Sequence, residues 1–251
     1  MRRIDLNADV GEGAGYDAEL VPLVSSVNIA CGAHAGDVAT MSRTVELAMK
    51  SGAAIGAHPG FADRANFGRV DICLPRGAAG ELVVAQVALL EGIASALGAR
   101  VGHVKLHGAL YNMAARDGEL AAEIAGALAS AMRGSGAQWT LVGLAGSRLI
   151  AAGRAAGLRV KGEAFADRAY RSNGTLVPRS EPGSLIEDPA AAVRQALSIA
   201  SEGKVTAQDA SEVRIEADTL CIHGDNPGAP EFARRIRAGL AAAGIEVARW
   251  A

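Results

Sequence analysis

The sequence predicts an α/β protein built as a seven-stranded parallel (β/α) barrel, one domain spanning residues 1–251. Three observations carry that prediction. Short apolar or β-rich runs alternate with longer Ala/Leu/Glu/Arg stretches, the pattern of strands laid parallel through helical crossovers. No Pro/Ser-rich linker, charge block or internal repeat separates these units. A chain of 251 residues can bury most of its apolar surface in one core of that size.

In chain order, strands are expected near Arg3–Asp9, Val24–Ala30, Ala53–His58, Gly102–His107, Thr140–Leu144, Arg159–Phe165 and Thr219–His223, with an eighth at Ile245–Ala248. Helices are expected between them. The clearest covers Glu81–Leu97, where Val83, Val87, Leu90, Ile93 and Leu97 recur at three- and four-residue steps and mark one buried face. Others fall at Val38–Lys50, Gly118–Met132, Gly146–Ala156, Pro189–Ser201 and Pro230–Ala243. Asp37 is placed to cap the first of these. Asp188 followed by Pro189 makes a good start, because proline at that position loses no intrahelical hydrogen bond. Residues 171–187 form one long irregular insertion.

Composition narrows the function. Lys and Arg total 25 against 27 Asp and Glu, a formal net charge of −2, which gives no electrostatic reason to expect nucleic acid or an anionic membrane as partner. Cys31, Cys73 and Cys221 are odd in number, widely spaced and free of any C-x-x-C pair, so neither a disulfide framework nor a structural zinc site is expected. The start "MRRIDLNADVGEG" carries acidic residues where a signal peptide needs an apolar core. No apolar run is read as long enough to span a membrane, and a cytoplasmic protein acting on a small molecule is expected.

The chemistry-bearing residues fall in one region of this plan. Asp9, His34, His58, His107, Glu163 and His223 lie at or just beyond the C-terminal ends of six different strands, which converge on one rim in a parallel barrel. "IDLNADVGEG" puts Asp5, Asn7 and Asp9 on one strand face, with Glu12 in the turn that follows. That ladder suits general-base or metal chemistry, or simply hydrogen bonding inside a polar core. "VSSVNIACGAHAGD" groups Asn28, Cys31, His34 and Asp37, and Cys31 reads more readily as a small buried residue than as a nucleophile. In "VKLHGALYN", Lys105 and His107 share a face, with Tyr111 and Asn112 just after. Lys105 suits a substrate anion or an ion pair with a neighbouring carboxylate. His103, before the strand end, reads as packing. "GEAFADRAYRSNGTLVPRS" is the densest polar stretch and runs from a strand into the insertion, the setting of lids and substrate clamps. Neither G-x-x-x-x-G-K-[ST] nor G-x-G-x-x-G occurs.

"DLNADVGEG", "NIACGAHAGD", "IGAHPGFADRANFGR", "VKLHGALYN", "GEAFADRAYRSNGTLVPR" and "CIHGDNP" resemble, in order, the signature blocks of the LamB/YcsF family, the A subunits of 5-oxoprolinase. The resemblance runs from residue 5 to residue 227. It departs at Ala8, where the family usually has cysteine, and at Leu106, where it has proline. It implies a barrel of the glycoside hydrolase/deacetylase type and a cytosolic role in the ATP-dependent opening of 5-oxoproline (pyroglutamate) to glutamate. Subunits B and C are the implied partners and ATP the implied co-substrate.

On this reading B and C phosphorylate the lactam, and this chain hydrolyses it. The expected catalytic residues are Asp9, with Glu12, as base for water, and His58, His107 and His223 for proton donation and oxyanion stabilisation. Asn7, Asn28, Lys105, Tyr111, Glu163, Arg168 and Asp225 are the expected substrate contacts. Two other classes stay open: a metal-dependent deacetylase-like hydrolase, with Asp9, His34 and His58 as ligands, and a non-catalytic lactam-binding protein.

Overall fold

The computed structural model describes residues 2–223 and 228–250, so the expected substrate contact Asp225 lies outside the described residues. β1 (Arg2–Val10) has alternating inward residues and is followed by a one-turn helix, α1 (Asp17–Leu20). β2 (Ser26–Ala30) leads into α2 (Val38–Ser51) and then β3 (Ala54–His58). Next come α3 (Ala78–Ala96), β4 (His103–Lys105), α4 (Gly108–Arg116) and α5 (Gly118–Ser135). The chain continues through β5 (Thr140–Leu144), α6 (Arg148–Ala155), β6 (Arg159–Phe165) and α7 (Pro189–Glu202). After the short pair β7 (Lys204–Thr206) and β8 (Glu212–Arg214) come β9 (Thr219–Ile222), α8 (Ala229–Ala242) and β10 (Ile245–Val247).

Seven parallel strands close a barrel in the order β1-β2-β3-β4-β5-β6-β9, with β9 returning to pair with β1. β10 adds to the first residues of β1. Leu6, Ala8 and Val10 of β1 are buried on the apolar side, as expected of a parallel strand covered on both faces. The alternate residues point into the lumen: Lys105 on β4 touches Asp9 on β1 and Glu163 on β6, and these strands are not neighbours.

Local sequence explains the helix boundaries. The Asp37 carboxylate accepts from the Thr40 amide at the start of α2, and Gly52 ends that helix at φ 74°. Asp117 does the same for α5, and Asp188 with Pro189 for α7. On α3 Val83, Val87 and Leu90 of the expected stripe are fully buried, while Ile93 and Leu97 are partly buried against the same core. This helix corrects one expectation: its 19 residues, with a window of mean hydropathy 1.4, are long and apolar enough by composition to cross a membrane. Here that stripe packs inward instead, and α3 also lies against α5.

Three further differences have physical causes. β2 begins at Ser26 rather than Val24, because Val21–Leu23, with Pro22, forms a 3-10 turn first. β4 stops at Lys105 because the His107 amide leaves the ladder to donate to the Pro59 carbonyl, and α4 begins at the next residue. The β7–β8 antiparallel hairpin, absent from the expected elements, buries Val205 against α7. The insertion is itself pinned by isolated bridges from Arg168 to Leu185 and from Tyr170 to Leu176.

Candidate active site

The lumen is filled from the bottom by a ladder of polar side chains. At the lowest level the Asp5 carboxylate accepts from the hydroxyls of Ser25, Ser26 and Thr219 at 2.7, 2.7 and 2.5 Å. Burial pushes its pKa up to about 6, with those three donors pulling the other way. Asp5 is therefore a packing group of the core, one of the two roles its position allowed.

Above it, the Asn7 amide donates to Glu163 at 3.0 Å and to Thr219 at 2.7 Å, while Asn28 donates to Asn7 and to Asp9, each at 2.8 Å. His103 Nε2 bonds Asn28 Oδ1 at 2.9 Å, which makes that nitrogen the donor. Its ring occupies space that only glycine leaves: a Cβ on Gly56 would stand 2.0 Å from His103 Nε2. Burial brings the His103 pKa down to about 3, so the ring is neutral and structural, as its position before the strand end implied.

Lys105 ties this level to the next. Its Nζ lies 2.9 Å from Asp9 Oδ1, 2.9 Å from Glu163 Oε1 and 3.0 Å from Cys221 Sγ. Burial disfavours the ammonium, but Asp9 and the neighbouring groups outweigh it and hold Lys105 well above its usual range. With its three N–H groups engaged, Lys105 takes the ion-pair role. The placement of Asn7, Asn28 and Glu163 is corrected: they lie beneath the cavity and brace Lys105 and Asp9. Tyr111 borders the cavity, yet its hydroxyl donates downward to Glu163 at 2.8 Å.

The top level carries the charges that face solvent. Burial opposes ionisation of Asp9, yet His58 and Lys105 together hold its carboxyl well below the usual range. Asp9 Oδ2 is 3.4 Å from His58 Nε2. Glu12 Oε1 stands 3.2 Å from His34 Nε2, 3.2 Å from His107 Nδ1 and 3.7 Å from His58 Nε2. The rings of His34 and His107 stack in parallel at 3.7 Å. Two glycines wall this pair closely, since a Cβ on Gly60 would be 3.0 Å from His34 Nδ1 and one on Gly68 2.9 Å from His34 Cβ. Burial pushes the His34 pKa down to about 4 and lowers that of His107; for His58 the Asp9 carboxylate overcomes burial and raises it.

The expected metal set is thereby changed. Glu12, His34, His58 and His107 bring one ligand atom each within 4.8 Å of one another, so Glu12 and His107 stand where Asp9 was expected, and Asp9 turns to Lys105. His34 lies behind the cavity wall, not on it. Cys31 is also out of play: burial pushes its thiol up to about 12.

On the opposite side, His223 Nδ1 bonds the Asp167 carboxylate at 2.9 Å, and the His223 amide donates to the same group at 3.1 Å. The Phe165 ring stacks on the imidazole at 5.4 Å. Asp167 stood in the dense polar stretch but was not among the expected site residues; its partner lies 56 residues away. Asp9, Cys221 and His223 also lie within 4.8 Å of one another.

These groups floor a cavity of about 840 Å³. One wall is Arg168 with residues 171, 173 and 175–180 of the insertion; the other is Arg69, Asp71 and the exposed face of α4, including Asn112 and Arg116. Arg168 donates from Nη2 to the Val177 carbonyl at 2.6 Å and from Nε to that of Ser184 at 3.2 Å, so it braces the insertion while lining the cavity. Burial and Arg179 bring its pKa down to about 10, which leaves it cationic at neutral pH.

The LamB/YcsF family model matches residues 4–251. The chain belongs to the LamB/YcsF family. It is 51% identical over 252 residues to the A subunit of 5-oxoprolinase from Methylococcus capsulatus, covering 98% of this chain and 95% of that one. The corresponding protein of Heliobacterium modesticaldum is 50% identical over 250 residues, with 98% and 97% covered. The crystal structure of the lactam utilization protein from Thermus thermophilus superposes with a TM-score of 0.89 at 47% identity, over 99% of this chain and all of that one. A T48 deacetylase solved with substrate shares the fold at a TM-score of 0.51 and 16% identity, covering 98% of this chain and 87% of that one. The LamB/YcsF barrel is thus of the deacetylase type in its architecture.

Proposed function

We propose that this chain is the A subunit of a cytosolic 5-oxoprolinase, opening 5-oxo-L-proline to L-glutamate in a reaction driven by ATP and completed with subunits B and C. The observation that carries this reading is the ionised Asp9 at the floor of a cavity with arginines in its walls, facing the Asp167-oriented His223. The names of the curated relatives supply the substrate.

A lactam carbonyl is a weak electrophile and its nitrogen a poor leaving group. Transfer of the ATP γ-phosphoryl to the amide oxygen, assigned to B and C, gives an imidate-like phosphate. In this cavity Asp9 takes a proton from water as the water oxygen bonds to the ring carbon, and the electron pair of the carbon–nitrogen double bond moves to nitrogen, which takes up a proton. Both ring nitrogens of His58 and of His107 are held by other partners, so these two shape the floor beside Asp9 and do not reach the substrate. The carbon–nitrogen bond then breaks as His223 delivers a proton to the amine, leaving an open-chain acyl phosphate. A second water releases phosphate and the carboxylate. Arg168, with the arginines of the cavity walls, holds the phosphoryl group and the ring carboxylate.

Alone, the purified chain is expected to release negligible glutamate from 5-oxoproline and ATP, and to gain that activity when mixed with B and C. Asp9→Asn is expected to abolish glutamate release in the mixture while ATP consumption by the partners persists at a residual rate. Ring opening by the isolated chain with ATP, or an active Asp9→Asn mixture, would refute the assignment.

A further inference from the structure

The three histidines grouped around Glu12 pose an electrostatic problem that hydrogen bonding between neutral rings does not solve. His58 Nδ1 lies 2.8 Å from the Lys105 carbonyl, and His107 Nε2 lies 2.8 Å from the Phe67 carbonyl. A carbonyl only accepts, so each of these nitrogens carries a proton, and in the neutral rings His58 Nε2 and His107 Nδ1 are bare. Those two atoms face each other at 3.0 Å, with Glu12 Oε1 3.2 Å from His107 Nδ1. A proton on His58 Nε2 settles the contact between the rings but leaves His107 Nδ1 bare against the carboxylate. All three histidines are at most 4% exposed, so the repulsion is little screened by solvent.

We propose that Glu12, His34, His58 and His107 together bind a divalent transition-metal ion of the zinc type at the edge of the cavity. The spacing suits it. Ligands about 2.0–2.1 Å from a tetrahedral centre stand roughly 3.3 Å from one another; four of the six separations among these ligand atoms are 3.0–3.7 Å, and all six lie within 4.8 Å. The chemistry suits it as well, because neutral imidazoles with a carboxylate favour zinc and its neighbours over magnesium or calcium. Carbonyl acceptors behind His58 and His107 fix the tautomer and the ring angle, the outer-shell arrangement that ligating histidines require. Glu12, His58 and His107 border the cavity while His34 lies behind it, so the ion has one side toward the substrate space.

Binding of the ion is separable from lactam opening, because it is tested on the purified chain without substrate or partners. Metal-stripped protein is titrated with Zn2+ and with Co2+, following bound metal, the visible Co2+ absorption and the thermal midpoint. Stoichiometric binding, a low-coordinate Co2+ spectrum and a metal-dependent rise in Tm are expected. Glu12→Gln and His107→Gln are expected to weaken binding by at least ~10-fold, whereas Asp9→Asn and His223→Gln retain it. Circular dichroism separates lost ligation from lost folding, and Glu12→Gln, nearly isosteric, keeps the comparison open if a histidine variant unfolds. No stoichiometric metal in the wild-type chain would overturn the proposal, as would binding that survives Glu12→Gln and His107→Gln but is lost in Asp9→Asn. Absence of the ion would leave the lactam reading standing, because that reading rests on Asp9 and His223.

Discussion

Asp5 is 1% exposed and accepts from three hydroxyl donors. Its carboxyl is raised from an ordinary 3.8 to about 6 on folding. A group whose folded pKa is raised contributes stability that is complete below its unfolded pKa and is lost as pH rises through the folded value. The window is therefore about pH 4 to 6, and the loss about 3 kcal/mol. Denaturant unfolding between those pH values is expected to show a flatter profile for Asp5→Asn than for wild type, by that amount. Parallel profiles would remove Asp5 as the source. Single residues also show where the sequence stopped being legible. Asp9, His58, His107 and His223 could be placed at the rim because each ends an apolar run. That Asn7, Asn28 and Glu163 sit one level lower depends on strand register, and the pairing of Asp167 with His223 depends on two loops meeting. The Phe67 and Lys105 carbonyls that orient the histidines are backbone groups, and no residue type announces them.

Among the elements, β3 shows how one strand serves another. Gly56 at its centre pairs with His103 on β4 and leaves the space that the imidazole fills. Gly56→Ala forces the ring off Asn28 and is expected to cost about 3 kcal/mol or more, as severe overpacking does. Adding His103→Ala removes the clash, so the double variant is expected to be more stable than Gly56→Ala alone, a coupling that unfolding measurements on the four proteins would read. A double variant no better than the sum of its parts would mean that the two residues do not contend for the same space. The seven barrel strands were legible because each is an apolar run closed by glycine or a polar turn. The β7–β8 hairpin was not, since three-residue strands offer one apolar position each, Val205 and Val213, which is too little to establish a period. α4 was missed because it starts directly after a strand, with no capping side chain on His107 to mark it.

For the molecule as a whole, the cavity of about 840 Å³ greatly exceeds a five-membered lactam, leaving room for a phosphorylated substrate or for a partner segment that delivers it. The closure of the barrel by β9 against β1 bears on how the chain folds. Asn7 meets Thr219 across 212 residues, and Asp5 meets the same residue across 214. On a ribosome adding about 5–20 residues per second, β1 waits roughly 10–40 s for that neighbour. Until it emerges, an open sheet would expose one edge of β1 and strand Asp5, Asn7 and Lys105 in a half-made lumen. Such distant pairings form late and slowly. Pulse-labelled hydrogen exchange during refolding is expected to protect the amides of β1 and β9 in the same phase. Protection of β1 with β2 alone, well before β9, would refute it. The polar interior that shapes the site thus makes barrel assembly an all-or-none event, and it leaves nascent chains that lack their last strands as the species most in need of a chaperone.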